Sequence, residues 1–518
     1  VSGRARFLPA LALAAAACAA RGTAPPPVPA PTAAAATPAP APLDPIAALR
    51  TAIDSMVGDT AFANARWGVL VVRPATGDTL YARDADRLFM PASNQKLLTG
   101  AAALAVLGPD YTWRTALVAL GPVRDGVLAG DLAVVGRGDP TVSDAMRRDA
   151  MLPLLAMADS LAARGVRRIT GRLVATGDAF PDPPHGFGWA WDDLDEPYSA
   201  GVDELYFNEG FGRVVVRGGA RPGDAVTVRV TPSAGALPVR AAVTTVTPGV
   251  VGGGTTTTRV TARWDARAGH HVLEGVVSAD DSVVLTLAQR DPNAGYLAAL
   301  GEALRARGIR VGGAAPRRDP PPVGDTLVVV TSPPLREVLP VFEKPSQNQI
   351  GEILLKTMGL ERAGVGTADS GRRVMARQLA EWGVRPERDA VIRDGSGLSR
   401  HDYVTPRALV RVLDAMRRDP NFRVFYDALP VGGVDGTIAN RMKGTPAEGN
   451  VRAKTGTLDK ARSLSGYVTT ADGELLLFSV LCNNYTVPTR QVDRVADALV
   501  ARLASLRLGG APAAGGAR

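Results

Sequence analysis

Three short stretches combine residue types able to break an acyl bond. In "PASNQKLLTG", residues 91–100, Ser93 stands three positions before Lys96. In "EKPSQNQIGEILLK", Ser346 and Asn348 follow Pro345, and in "VRAKTGTLDK" the run Lys454, Thr455, Gly456, Thr457 opens an alternating apolar segment. A serine hydroxyl is a weak nucleophile until a nearby base takes its proton. Lysine can be that base once burial or another cation removes its charge, whereas a guanidinium stays protonated at any physiological pH. Only six of the 59 lysines and arginines are lysines. The arginine bias needs no functional cause, so a lysine at position 96 is informative.

Each stretch alone has a plain structural reading. Ser93 could cap the helix that follows and leave Lys96 in solvent, Ser346 could cap the next helix, and Lys454 could sit in a polar turn entering a hairpin. Taken together and in this order they are the Ser-x-x-Lys, Ser-x-Asn and Lys-Thr-Gly set of serine penicillin-recognising enzymes. Competing mechanisms lack an anchor. The four histidines, His185, His270, His271 and His401, lie in no Gly-x-Ser-x-Gly elbow and no His-Glu-x-x-His motif. No metal or cofactor is called for. Ser396 in "DGSGLSRHDYVTP" has a Gly-Ser-Gly setting that reads as a turn, and "GRGDPT" reads as a turn ending a strand.

These residues need elements to hold them. "LLTGAAALAVLG" after Lys96 predicts a buried helix with Ser93 and Lys96 stacked on its first turn. The segment from Ser346 predicts an amphipathic helix, and Lys454 onward through "GELLLFSVLCNN" predicts paired strands. Residues 45–108 read as a helix, a strand pair around "WGVLVVRPATGDTLYAR", and the Ser93 helix. Residues 112–208 mix short strands with a helix near 146–164, and 209–285, rich in Val, Thr and Gly with "AVTVRV" and "TTTTRVTARW", predict a small β domain. A helix near 294–308 resumes the second domain. No repeat marks a solenoid or propeller.

Composition bounds the rest. With 518 residues, 46% apolar and 21% charged, the chain is long enough for two or more domains with packed cores. The net charge of +8 is spread without blocks of like charge, which argues against nucleic-acid binding. Arg4 and Arg6 before the apolar run 7–17 have the layout of a secretory signal, so export to the periplasm is expected. Cys18 among small alanines also has the setting of a lipoprotein site, so a lipid anchor there stands as an alternative. Residues 22–44 read as an Ala/Pro-rich linker and 509–518 as a disordered tail. Cys482, the only other cysteine, reads as a buried strand residue.

The chain resembles the class C low-molecular-mass penicillin-binding proteins, the D-alanyl-D-alanine carboxypeptidase and endopeptidase family. Beyond the three motifs, "GRGDPTV", "GWAWDDL", "QRDPNAGYLAALGEALRARGI" and "RDGSGLSRHDYVTP" carry that resemblance, which covers nearly all of 45–508. It implies an α/β (α+β type) fold, that of serine β-lactamases and DD-peptidases, with an antiparallel sheet flanked by helices. Two domains are inserted after the first active-site helix. The catalytic domain would span 45–111 and 325–508, domain II 112–208 and 286–324, and domain III 209–285. Ser93 would attack the carbonyl of a D-Ala-D-X bond, with neutral Lys96 as base. Ser346 would relay a proton to the leaving amine. Asn348 would bind the substrate backbone, Lys454, with Thr455 nearby, would attract the terminal carboxylate, and the N–H groups of Ser93 and Thr457 would form the oxyanion hole.

Implied partners are peptidoglycan stem peptides and cross-links, with β-lactams as acylating inhibitors and no cofactor. A β-lactamase or esterase on the same scaffold, and a non-catalytic wall-binding protein, are the alternatives. The central motif here is Ser-Gln-Asn where many relatives have Ser-Asp-Asn, a departure that touches pocket polarity. Trp189, Trp191 and Asp192 of "WAWDDL" either border the substrate approach or are buried aromatics of domain II.

Overall fold

The computed structural model describes residues 44–231, 237–249, 258–318 and 323–509. The expected signal, Cys18 and linker, most of "VGGGTTTT", and the tail beyond Gly509 lie outside these residues.

An Asp-Pro start sets the first helix. Asp44 accepts from the Ile46 N–H at 3.1 Å and Pro45 fills the first turn of α1 (Pro45–Val57). A five-stranded antiparallel sheet follows from β1 (Arg66–Arg73), β2 (Asp78–Arg83), β3 (Arg452–Leu458), β4 (Ala461–Thr469) and β5 (Leu475–Asn483), in the order β2-β1-β5-β4-β3. The sheet is therefore closed by strands from opposite ends of the chain. Its run "LLLFSVLC" is apolar throughout because both faces are covered. Leu476, Phe478, Val480 and Cys482 pack against α1 and the C-terminal helix Thr489–Ala504, while Leu477 and Leu481 face the opposite core. That alternation follows from the period of two along a strand. Cys482 is buried on β5, as its setting predicts.

The opposite core is helical. It is built on α2 (Gln95–Leu107), α3 (Leu335–Glu343), α4 (Asn348–Ala363) and the helix Pro406–Arg418. The Ala-rich stretch 101–103 is fully buried, which lets α2 lie deep between its neighbours.

The chain between α2 and α3 forms separate sheets. One has the order Ala314–Arg318, Leu173–Thr176, Asp131–Val135, Arg114–Leu120, Asp325–Thr331, with helices Met151–Ala163 and Pro292–Ala306 packed on it. Two three-stranded sheets, drawn from residues 211–288, enclose a smaller core. Two expected boundaries move. Asp325–Thr331 does not begin the catalytic part, because it pairs antiparallel with Arg114–Leu120 and completes the inserted sheet. Strand Ser282–Ala288 pairs with Phe211–Arg217 and carries the β-rich part past 285. The "GRGDPT" stretch is the expected turn: Asp139 Oδ1 accepts from the backbone N–H and hydroxyl of Thr141 just after strand Asp131–Val135.

Candidate active site

Ser93 lies in a tight turn, Ala92–Asn94, immediately before α2. Sequence reasoning put it on the first turn of the helix; it sits one short 3-10 turn earlier. Ala92 has φ +49, a left-handed conformation uncommon outside glycine. The serine caps nothing, and no side chain caps the start of α2. Sheet and turn are pinned together. Asn94 Nδ2 donates to the Lys454 carbonyl at 2.7 Å, Ser463 Oγ to the Pro91 carbonyl at 2.7 Å, and the Met90 N–H to Asn483 Oδ1 at 2.8 Å. The Ser93 turn is thus held from β3, β4 and β5.

Lys96 is wholly buried, so the solvent-facing alternative fails. Its Nζ lies 2.9 Å from Ser93 Oγ, 2.6 Å from Asn348 Oδ1 and 2.7 Å from the Ser396 carbonyl. A neutral amine has two N–H donors and one lone pair. Two of its neighbours, an amide oxygen and a carbonyl, can only accept, so they take the two donors and leave the lone pair directed at the Ser93 hydroxyl. Burial, and then the charge of Lys454, bring Lys96 down to about 7, against the opposing pull of Asp394, Glu343 and Glu352. Asn348 is fixed in turn, its Nδ2 donating to the Tyr198 carbonyl at 2.8 Å.

The helix α4 is capped by Gln347, not Ser346: the Gln347 side chain accepts from the Ile350 N–H at 2.9 Å. Its Nε2 donates to Tyr206 Oη at 3.1 Å and to Gln349 Oε1 at 2.7 Å. A carboxylate at 347 could cap but not donate, so Ser-Gln-Asn is matched to Tyr206 and Gln349. Ser346 is half-buried with φ +67 and makes no hydrogen bond to Lys96 or Lys454 among the described residues.

On β3, Lys454 and Thr455 are buried and Thr457 is exposed. Lys454 Nζ donates to the Thr455 carbonyl at 3.1 Å, and Thr455 Oγ1 to Thr437 Oγ1 at 2.7 Å. Gly456 is required by contact. A Cβ there would lie 2.1 Å from Ser463 Oγ, 2.4 Å from the Pro91 carbonyl and 3.0 Å from the Ser93 nitrogen.

Sequence reasoning missed the role of "DGSG". Ser396 is in a turn, as expected, but its carbonyl is one of the three neighbours of Lys96 Nζ. Two carboxylates shape that turn. Glu352 on α4 accepts from the Gly395 N–H at 3.0 Å and the Ser396 N–H at 2.9 Å, and Asp394 accepts from the N–H groups of Gly397 and Ser399, each at 2.7 Å. Asp394 also accepts from Trp189 Nε1 at 3.0 Å, which ties "WAWDDL" to the site. Trp191 is 84% exposed and Asp192 is exposed, so they are not buried aromatic packing of the inserted domain.

The chain is similar to known proteins over most of its length. The profile of the D-Ala-D-Ala carboxypeptidase 3 (S13) family matches residues 49–506. A D-alanyl-D-alanine carboxypeptidase of an Actinomadura species is 37% identical over 482 residues, covering 89% of this chain and 85% of that protein. The D-alanyl-D-alanine carboxypeptidase DacB of Haemophilus influenzae is 28% identical over 418 residues, covering 77% and 81%. Among solved structures, penicillin binding protein 4 of Haemophilus influenzae superimposes with a TM-score of 0.76 at 24% identity, over 88% of this chain and 99% of that one.

Proposed function

The chain belongs to the D-Ala-D-Ala carboxypeptidase 3 (S13) family, and from that premise we propose that Ser93, Lys96, Ser346, Asn348 and the Lys454–Thr457 run carry its serine D-alanyl-D-alanine peptidase chemistry. The observation that carries this reading is the buried Lys96 amine, 2.9 Å from Ser93 Oγ and flanked by the Asn348 amide oxygen and the Ser396 carbonyl, two groups that can only accept.

Ser93 Oγ attacks the carbonyl carbon of the D-Ala-D-X bond and gives its proton to Lys96 Nζ. The oxyanion that forms is stabilised by the N–H groups of Ser93 and Thr457, near the positive end of α2. Collapse breaks the C–N bond, and the leaving amine takes a proton relayed through Ser346. Water then attacks the ester and restores Ser93. Asn348 orients the stem-peptide backbone. Lys454, with Thr455 beside it, attracts the terminal carboxylate; its charge lowers the basicity of Lys96.

A cross-link presents the same acyl half as a stem-peptide end, so endopeptidase cleavage uses the same groups. Peptidoglycan is then the substrate, β-lactams are acylating mimics, and the periplasm is the place of action, consistent with the basic-apolar N-terminal segment.

The test is an intact-mass time course with excess benzylpenicillin followed by peptide mapping. A persistent adduct on Ser93 supports the peptidase. Rapid loss of the adduct as penicillin is consumed indicates a β-lactamase, and no adduct at all overturns the reading.

The pH dependence has a definite sign. Acylation needs neutral Lys96, so its rate should fall about tenfold per pH unit below about 7. Stopped-flow acylation between pH 5 and 8 checks it; a flat profile there excludes Lys96 as the base.

A further inference from the structure

A buried carboxyl at the end of α3 has no part in the scheme above, and Thr437, whose N–H donates to the Lys344 carbonyl at 3.0 Å and whose hydroxyl accepts from Thr455 at 2.7 Å, joins that end of α3 to β3 beside Lys454. Glu343 is the last residue of α3, is fully buried, and neither of its carboxyl oxygens has a hydrogen-bond partner among the described residues. Gly100 makes room for it. That glycine lies one turn beyond Lys96 on the same face of α2, and a Cβ there would come within 2.7 Å of Glu343 Oε1. Lys454 has the complementary deficit. Its buried ammonium has three donors, and among the described residues its one hydrogen bond goes to the Thr455 carbonyl.

The surroundings isolate this group. The adjacent Lys344 turns away and donates to Asp435 at 2.6 Å. Among elements packed on α3, α2 brings Lys96, α4 brings Glu352 and Lys356, helix Asp144–Arg147 brings its two terminal charges, and helix Phe422–Ala428 brings Arg423 and Asp427, paired with each other. Burial pushes the Glu343 carboxyl up to about 7, and the charges of Lys454 and then Lys96 oppose that push. The relation is asymmetric. Glu343 is the sole charge opposing the effect of burial on Lys454, but one of three anions acting on Lys96.

We propose that Glu343 is a positioning residue, the buried counter-anion that keeps Lys454 cationic for the substrate carboxylate. It rests on the acyl-enzyme reading above. Without the anion, burial alone would govern Lys454, and the charge that receives the carboxylate would be lost at lower pH.

The experiment compares acylation of wild type and Glu343→Gln between pH 6 and 10, with benzylpenicillin and with its methyl ester, which has no carboxylate. With benzylpenicillin the alkaline limb of the variant is expected about one pH unit lower, giving roughly tenfold slower acylation above it, carried by weaker binding rather than by the maximal acylation rate. With the ester the variant should differ from wild type by less than about twofold. Glu343→Met, which also removes the negative charge, is expected to give the same shift, and thermal melting of both variants shows whether the fold survives. An unmoved alkaline limb, or an equal loss on acid and ester, overturns the role of Glu343. Failure of wild type to form any adduct overturns the acyl-enzyme reading instead, and this inference with it.

Discussion

Lys96→Arg is expected to slow acylation of Ser93 about 1,000-fold, the scale of a lost general base. A lysine amine here can lose its proton, because burial and Lys454 together pull it toward neutral pH. A guanidinium cannot be deprotonated under the same pressure. Its hydrogens would point at Ser93 Oγ, Asn348 Oδ1 and the Ser396 carbonyl as donors only, so no lone pair would be left to receive the hydroxyl proton. The planar group is also wider than an ammonium, and Lys96 has no solvent-exposed space to expand into. Part of the loss would therefore be displacement of Asn348 and the Ser396 turn. The two effects separate by pH. If the missing base dominates, the variant stays slow at pH 9, where wild type is fully active on the Lys96 limb. Acylation at pH 9 within about tenfold of wild type would mean that Lys96 is not the base. Thermal melting of the same samples shows whether the fold survived.

What was legible in the chain and what was not divides along a physical line. Ser93, Lys96, Asn348 and Lys454 could be singled out because their chemistry depends on side-chain type at fixed spacing. The elements under them were legible too: the Ala- and Leu-rich run after Lys96 forms α2, and "LLLFSVLC" forms a strand covered on both faces. The Ser396 carbonyl was not, since every residue has a carbonyl and only the fold decides which one meets Lys96. Glu343 and Glu352 were hidden for a related reason. A glutamate on an amphipathic helix ordinarily faces water, and here Gly100 and the Gly395–Ser396 N–H groups instead receive these carboxyls in the interior. The boundary expected at 325 came with the resemblance, whereas the pairing of Asp325–Thr331 is set by the fold. Its partner strand, Arg114–Leu120, is far away in sequence, and pairing of that kind leaves no local mark. The nearest thing to a missed signal was in "DGSG", where an aspartate ahead of Gly-Ser-Gly marks a turn tightly held by its own side chain.

Gly456→Ala is expected to cost a further large factor, about 100- to 1,000-fold in acylation, although position 456 has no side chain to do chemistry. β3 passes so close to the Ser93 turn that an added methyl would overlap Ser463 Oγ, the Pro91 carbonyl and the Ser93 nitrogen at once. Ser463 Oγ could rotate, with loss of its hydrogen bond to Pro91. The Pro91 carbonyl and the Ser93 nitrogen belong to the backbone of a turn already strained at Ala92, so they can yield only by moving the turn away from the strand. That movement opens the gap between the Ser93 and Thr457 N–H groups, and a donor moved off an oxyanion loses most of its effect on the transition state. Overpacking of this kind should also destabilise the fold by about 1–3 kcal/mol. Lys96 would keep its neighbours on α4 and the Ser396 turn, so the acid limb of the pH profile should stay near its wild-type position while the plateau falls. A fall in plateau with an unmoved limb supports the clearance argument; full activity in Gly456→Ala would mean that β3 and the Ser93 turn do not act together on the oxyanion.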